Sequence, residues 1–367
     1  MPVEISPSVA SILSAPPTSP SHSLPATPDN CFWGYFDPAV APALSVPSGS
    51  TIRIEAVTHH SGDAPDLMFD EGIAAIWDAI DPSDRTPGVH IMTGPIEVID
   101  AQPGESILVR ILEMTPRMPF GSNCAANWGL LYDRFGKERI TIYGLNDLEA
   151  GGFGRSASPM FAFDFTERPL YDLPGVVSAP DEEHRNPFSR PVQVPVRPHF
   201  GVMGVAPAGS ERISSVPPGV FGGNVDNWRL GPGAAMLYPV FHEGANLFVG
   251  DPHFAQGDGE ICGTAIEASI NAVIQVFRVP DISVDAPVLL RDEEWITHGF
   301  GDDLNAAMRM AAEQMLNLMT GPIGLSEDDA YSLCSVAVDF GVTQVVDGVV
   351  GCHAILDSSI FVSTDPT

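Results

Sequence analysis

Residues 43–57 read ALSVPSGSTIRIEAV, and residues 96–114 read IEVIDAQPGESILVRILEM. Each is a strand, a tight turn and a second strand. Pro47-Ser48-Gly49 breaks the first and Gln102-Pro103-Gly104-Glu105 the second. Proline presets the φ of a turn's first central residue, and glycine takes the positive φ that other residues avoid. Ile52 and Ile54 alternate with Arg53 and Glu55, which puts both isoleucines on one face of a strand ending at Val57. Two copies of this device predict a β-sandwich made of similar halves.

The pattern extends outward from these two units. SINAVIQVFRV (269–279) is nearly all apolar and predicts a central strand, and AAMLYPVFHEGANLFVG (234–250) carries more strand signal. Residues 133–195, with Gly151-Gly152 and many prolines, predict irregular excursions and short edge strands. In DDLNAAMRMAAEQMLNLM (302–319), Leu304, Ala307, Met308, Ala311, Met315, Leu318 and Met319 recur at helical spacing, a core-facing stripe. A second helix starts after Ser326, an N-cap with Asp329 in the capping-box position. VVDGVV (345–350) then reads as a hairpin turning at Asp347-Gly348. The predicted fold class is mainly β: a β-sandwich or barrel-like body with a few α-helices packed near the C-terminal half (α+β). Residues 1–28, rich in Ser, Pro and Ala, read as a flexible N-terminal tail or a strap over a neighbour. Residues 29–200 then form an N-terminal β-rich half, and residues 201–367 a C-terminal one that holds the helices.

Charge and composition exclude several classes. With 17 basic and 47 acidic residues the net charge is −30, which repels phosphate backbones and anionic lipid and predicts no nucleic-acid and no membrane partner. No apolar run reaches the ~18 residues of a membrane span. The first residues, MPVEISPSVASILSAPPTSPS, lack the basic start and apolar core of a signal peptide. Five scattered cysteines without CxxC spacing fit a reducing compartment, so a cytoplasmic location is expected.

Lysine narrows the chemistry further. Lys137, in DRFGKERI, is the chain's single lysine, and its charged setting reads as a solvated turn. Amide hydrolysis by Ser-Ser-Lys or Glu-Lys-Cys arrangements needs a lysine at the nucleophile, and Schiff-base chemistry needs one at the carbonyl. There is no GxSxG elbow, no P-loop, and no GxGxxG between strand and helix. Histidine and carboxylate remain.

Of ten histidines, His22 and His184 lie in polar surroundings and read as solvated. His59 and His60 directly follow a strand, so in extended backbone they point to opposite faces unless the strand bulges. His90 stands at the mouth of the next strand, where capping a turn is the plain alternative. Asn224 and Asp226 sit two apart in VFGGNVDNW (220–228), on one side of an extended segment; turn formation is the plain alternative there. In DPHFAQGDGE (251–260), Asp251 and His253 are also two apart, a His/carboxylate set of the kind divalent transition metals accept. Gly257 and Gly259 flank Asp258 and leave room beside the carboxylates. Glu260 precedes the apolar ICGTAI, and burial raises a carboxylate pKa towards the range of a general base.

TGPIEVIDAQPGES (93–106), HFGVMGVAP (199–207), GGNVDNW (222–228), FVGDPHFAQGDGEICGTAIE (248–267) and AYSLCSVAVDFGVTQVVDGVVGCHA (330–354) together resemble the acetamidase/formamidase family, in order from CFWGYFD (31–37) to near the C-terminus. The resemblance implies a mostly β architecture, homo-oligomers, a divalent metal, and hydrolysis of short aliphatic amides to carboxylic acid and ammonia. The family pattern usually has Ala where Pro252 stands, often Cys at Val225 and Pro at Phe200, and Glu-Gly at Ile99-Asp100. None of these departures removes an acid or histidine from the central motif, and they bear on substrate choice more than on chemistry. On this reading some of His59, His60, Asp251 and His253 hold the metal (zinc, with calcium as the alternative), and Glu260 moves the proton, with Asp258 as the second catalytic candidate. Asn224, Asp226, Gln256 and His90 orient a small amide, while Glu267 braces the site from behind. Two rival readings stand beside it. One is a non-catalytic, metal-stabilised β-sandwich that binds a small ligand; the other is a hydrolase of a larger amide, a carbamate or a lactam.

Overall fold

The computed structural model describes residues 5–148, 152–164 and 185–362. Ile52 and Ile54 are buried on the Ser50–Ala56 strand while Arg53 is exposed, as the alternation predicts. This strand pairs antiparallel with Ile270–Val279, whose other edge takes Ser106–Pro116. The apolar 269–279 stretch is thus an interior strand. The whole sheet has nine strands, in the order His22–Leu24, Ser50–Ala56, Ile270–Val279, Ser106–Pro116, Ala234–Pro239, Val288–Arg291, Glu294–Gly301, Val350–Asp357 and Val338–Gln344.

A six-stranded sheet packs against it. Its order is Gly222–Asn224, His199–Val205, Leu247–His253, Ile91–Val98 and Cys31–Trp33, with Leu44–Val46 also paired to Ile91–Val98. The largest apolar cluster joins Ile52, Ile54 and Ile274 of the first sheet to Met92, Val202 and Phe248 of the second. The body is therefore mainly β. Both sheets draw strands from before and after residue 200.

Helix Leu304–Thr320 starts at Asp303, whose side chain accepts from the Ala306 N–H at 2.9 Å. It buries Ala307, Ala311, Met315, Leu318 and Met319 against Trp295, Cys352 and Ala354; Leu304 and Met308 face outward. The helix comes so close to Gly299 that a Cβ there would sit 2.1 Å from the Ala307 carbonyl oxygen. Helix Glu327–Val336 begins at Ser326, whose hydroxyl pairs with both the N–H and the carboxylate of Asp329. Among the described residues no helix is long and apolar enough to cross a membrane.

Two stretches are more ordered than expected. In 133–195, strands Arg139–Leu145 and Ser156–Asp164 join Phe120–Ala125 and Val194–Pro195 in an antiparallel four-stranded sheet. Backbone pairing with Phe120–Ala125 organises it, a non-local partner that local composition does not announce. Gly151 and His184 lie outside the described residues. In 1–28, helix Pro7–Ser14 buries Val9 in the same cluster as Met315, and His22–Leu24 pairs in parallel with Ser50–Ala56. Residues 5–24 are thus strapped to the chain's own body.

Candidate active site

Strand pairing builds the site's foundation. Leu247–His253 runs antiparallel to His199–Val205, and the register sets His199 opposite His253. Asp251 takes φ 45°, which turns the strand end so that Asp251 Oδ2 lies 3.0 Å from His253 Nε2. Gly201 passes directly beneath. A Cβ there would lie 2.5 Å from Asp226 Oδ1, 2.6 Å from His253 Cε1 and 2.7 Å from Asp251 Oδ2.

The two adjacent histidines do not point apart. Thr58 accepts from the His60 N–H at 3.1 Å and starts a 3₁₀ turn, His59–Asp63. Three residues per turn, in place of the strand's two-residue alternation, bring the two rings to 4.2 Å between centroids. Asp63 Oδ2 lies 2.8 Å from His60 Nδ1 and also takes the Ser122 hydroxyl. The His90 ring stands 5.3 Å from that of His59, with its Nε2 3.7 Å from Asp251 Oδ2. On its other side, Nδ1 lies 3.0 Å from Ser215 Oγ. This Ser-His-Asp series is not a nucleophilic triad. Ser215 is fully buried on the side of His90 away from Asp251, against Gly88, and it orients the ring.

The motif loop parts its acids. Glu260, at φ 45° after Gly259 at φ 102°, turns inward and is 7% exposed. Asp258 turns outward into a bidentate pair with Arg229, at 2.9 and 3.1 Å. The Arg229 guanidinium, 29 residues upstream, holds this second catalytic candidate at the surface. Gln256 also stands off the cavity: its Nε2 donates to the Asp226 carbonyl at 2.6 Å, and its Oε1 lies 3.3 Å from His253 Nδ1. Its contacts tie His253 to the Asp226 backbone.

These elements enclose a cavity of about 240 Å³. His59, His60 and His90 line it, as do Asn224 and five carboxylates: Asp226, Asp251, Glu260, Glu267 and Asp347. Val89, Val216, Val346 and Trp128 give it an apolar wall. His253 stands behind the acids, with Nε2 3.1 Å from Glu267 Oε2.

Burial and charge set the protonation pattern. Burial pulls His60 down, but the charge and hydrogen bond of Asp63 outweigh it and lift the ring to about 9. Burial likewise opposes a charge on His253, yet Glu267 and Asp251 raise it well above the ordinary value. His59 is held low by burial and by the neighbouring His60 and His90. Asp251 stays ionised despite burial because His90 and His253 face it. Burial raises Glu260, and Asp226 and Asp347 push it higher still. Burial also lifts Asp226 to about 7 and carries Asp347 well up.

A profile of the Acetamidase/Formamidase family matches residues 23–362. The chain belongs to this family. It is similar to an acetamidase of Mycolicibacterium smegmatis, 29% identical over 270 residues that make up 63% of this chain and 62% of that one. A putative formamidase of Schizosaccharomyces pombe is 28% identical over 70% of this chain and 67% of its own length. The matched region thus spans about three fifths to two thirds of these relatives. An acetamidase structure from Yersinia enterocolitica shares the fold at a TM-score of 0.73, with 23% identity and 94% of both chains covered.

In this member of the acetamidase/formamidase family the donor set fits a divalent metal. The ligand atoms of Asp251, His253 and Glu267 lie within 4.8 Å of one another, all buried. His199, held neutral by burial at a pKa of about 3, donates its Nδ1–H to the Arg197 carbonyl at 2.7 Å. Its Nε2 lies 3.0 Å from His253 Nδ1 and 2.9 Å from Gln256 Oε1. His253 Nε2 thus sits between Asp251 Oδ2, at 3.0 Å, and Glu267 Oε2, at 3.1 Å, where it would give up its proton to a bound metal. Asp251 Oδ1 and His59 Nδ1 are buried and have no hydrogen-bond partner among the described residues. The ligand atoms of Asp226, His253 and Glu260 also lie within 4.8 Å of one another. This second group lacks the adjoining His59, His60 and His90 rings, which crowd Asp251 instead. Asp347 and the cavity-lining position of Glu267 escaped the sequence reading. Asp347-Gly348 reads as a turn, and only its distance from Asp226 in the folded chain reveals a further role.

Proposed function

We propose that this protein hydrolyses short aliphatic primary amides, of the acetamide or formamide type, to a carboxylic acid and ammonia. The observation that carries the reading is Glu260: a buried carboxylate, raised by burial and by its acidic neighbours, on the wall of a small cavity beside a buried His/carboxylate metal-type set. Family membership supplies the word amide. A cavity of about 240 Å³ is below the ~300–1,000 Å³ of drug-sized sites and favours a small substrate over a large amide or lactam.

Asp251, His253 and Glu267 would hold the metal, with His59 and His60 lining the same cavity, and zinc suits these N and O donors. Such an ion would act as a Lewis acid on the amide carbonyl and lower the pKa of water. Asp63 holds the His60 ring, and Ser215 the His90 ring, in fixed orientation at the carbonyl end. Glu260 takes a proton from the attacking water and returns it to the departing nitrogen. Val89, Val216, Val346 and Trp128 receive the acyl group and keep bulk water from it. The cytoplasm and a homo-oligomer complete the proposal. Five free cysteines suit a reducing compartment, and exposed Leu130, Leu131, Tyr132 and Phe135 suit an assembly contact.

Ammonia release from acetamide and formamide, followed with and without a chelator, tests the reading. Glu260→Gln keeps size and polarity but removes the proton acceptor, and is expected to lose at least ~10²-fold in kcat with unchanged Tm and metal content. Full turnover by metal-free protein removes the metal from the scheme. Near-normal kcat in Glu260→Gln removes Glu260 as the base.

A further inference from the structure

Two loops bring Asp226 and Glu260 together. Asp226 follows strand Gly222–Asn224, and Glu260 lies in the motif loop after strand Leu247–His253. Both take left-handed backbone, Asp226 at φ 52° and Glu260 at φ 45°. Residues other than glycine hold such a conformation only where their surroundings impose it. The ligand atoms of Asp226, His253 and Glu260 lie within 4.8 Å of one another, so the two carboxylates also crowd each other. When both are ionised they push their loops apart. Gly257 and Gly259 flank Asp258 and let the motif loop yield; a Cβ at Gly257 would meet nothing within 4 Å.

Arg229 bridges the two loops outside the cavity. Its guanidinium grips Asp258 at two points, 2.9 and 3.1 Å, and its Nη1 also donates to Asn227 Oδ1 at 3.3 Å. The guanidinium carbon stands 4.4 Å from the centre of the Trp228 ring. Asn227 is buried, and its Nδ2 donates to His298 Nε2 at 3.0 Å, which anchors this end in strand Glu294–Gly301. On the inner edge of the motif loop, Gln256 Nε2 donates to the Asp226 carbonyl at 2.6 Å, and the Gly259 N–H to the Thr343 carbonyl at 2.8 Å. Arg229 holds the outer edge. With the Asp258 side chain 40% exposed, the pair adds little to overall stability. Its position says more: it joins the loop just after Asp226 to the loop just before Glu260. A two-point arginine–carboxylate pair fixes orientation as well as distance.

We propose that Arg229 is a positioning residue: through Asp258 and Asn227 it clamps the Glu260 loop to the Asp226 loop and sets the spacing of the two carboxylates. The proposal rests on the reading in which Glu260 moves the proton, and adds the group that keeps Glu260 in place. Arg229 touches no reacting atom. It acts by opposing the mutual repulsion of the acids and by holding two left-handed residues that would otherwise relax. Asp258 is then the clamp's second jaw.

The test compares Arg229→Ala, Asp258→Ala and the double variant with the unaltered protein, on acetamide. A misplacement of about 1 Å costs about 10²-fold in rate, so Arg229→Ala is expected to lose about 10² in kcat. Asp258→Ala should move kcat in the same direction, and the double variant should lose little more than either single one, since both break one tie. Guanidinium chloride, far below denaturing concentrations, should raise the kcat of Arg229→Ala at least ~3-fold and saturably, by refilling the place between Asp258 and Asn227. Sodium chloride at matched ionic strength should not, nor should guanidinium help the double variant. Arg278→Ala is the control: it breaks an equally two-pronged pair with Glu105, at 2.7 and 2.6 Å, and should keep normal kcat. Hydrogen exchange reads the clamp without catalysis; in Arg229→Ala it should quicken at 222–230 and 256–263 and stay unchanged in Ile270–Val279. Where Arg229→Ala does not fold, Arg229→Lys, which keeps the charge but not the two-point grip, carries the kinetic and exchange arms. Near-normal kcat, or unchanged exchange in the two loops, overturns the clamp. Opposite effects of the two single variants also overturn it, in favour of a charge effect; inhibition of Arg229→Ala by guanidinium does so in favour of a merely structural role. If the unaltered protein hydrolyses no amide, the functional reading falls instead, and exchange decides the clamp alone.

Discussion

Gly201→Ala adds one methyl group beneath the site. Its Cβ would stand 2.5 Å from Asp226 Oδ1, 2.6 Å from His253 Cε1 and 2.7 Å from Asp251 Oδ2. Ordinary contact begins near 3.4 Å, so each atom must retreat by about 0.7–0.9 Å or the strand must shift by as much. None of the three is the free end of a long, flexible chain. Asp251 and His253 are held by each other at 3.0 Å, and His253 is backed by His199 at 3.0 Å. A displacement of about 1 Å in a catalytic array costs about 10²-fold in rate, and overpacking costs about 1–3 kcal/mol of stability. The expected outcome is a fall of about 10² in kcat/KM for acetamide, with a folded protein of lowered Tm and reduced metal content. Steady-state kinetics, metal analysis and thermal unfolding read the three effects. Gly257→Ala is the control, since a Cβ there meets nothing within 4 Å. If Gly201→Ala keeps near-normal kcat/KM, the atoms packed on Gly201 are not the ones that do chemistry.

Further outcomes follow from the same geometry. Lys137 is the chain's single lysine and is exposed, so Lys137→Ala should keep most activity; loss of turnover in a folded variant would restore the lysine-based amidase mechanisms. Glu260 must be ionised to accept a proton and its pKa is raised, so the acid limb of kcat against pH should lie above the ordinary glutamate range of ~4.3. A limb at ordinary glutamate pH assigns the proton elsewhere. In chelated protein His60 has a folded pKa of about 9, above its unfolded value of 6.5. The stability this contributes, about 3 kcal/mol, is fully present below pH 6.5 and lost as pH rises through 9. Denaturant unfolding between those pH values should show a steeper decline than in Asp63→Asn; equal slopes refute the assignment.

The sequence makes the β-sandwich legible because its clearest signals are local. Proline-glycine turns at 47–49 and 102–105 and a nearly unbroken apolar run at 269–279 mean the same thing in most contexts. Helix Leu304–Thr320 was visible through its periodicity, though not the exact face it buries, which leaves Leu304 and Met308 outside. The site was visible as a cluster but not in its assignments. Adjacent histidines part only if the strand continues past Thr58, and here a side-chain cap ends it. Asp258 and Glu260 are equivalent by spacing, and Arg229, remote in sequence, separates them. Asp347 looks like any turn aspartate until the hairpin is folded over Asp226. What depends on a distant partner was not written in the neighbouring residues.

The interior place of Ile270–Val279 has a consequence for how the chain is made. Ser50–Ala56 and Ser106–Pro116 emerge from the ribosome early, yet the strand that lies between them is completed roughly 160 residues after Pro116, which at about 5–20 residues per second takes on the order of 10–30 s. Through that interval Ser106–Pro116, rich in Ile, Leu and Val, and Ser50–Ala56, with its two isoleucines, wait with open edges, on a nascent chain whose neighbours on the same polysome carry the same open edges. Such edges template pairing between chains. Yield of soluble protein should thus depend on translation speed across residues 117–279 and on chaperones that shield apolar segments, more than on the stability of the finished sandwich.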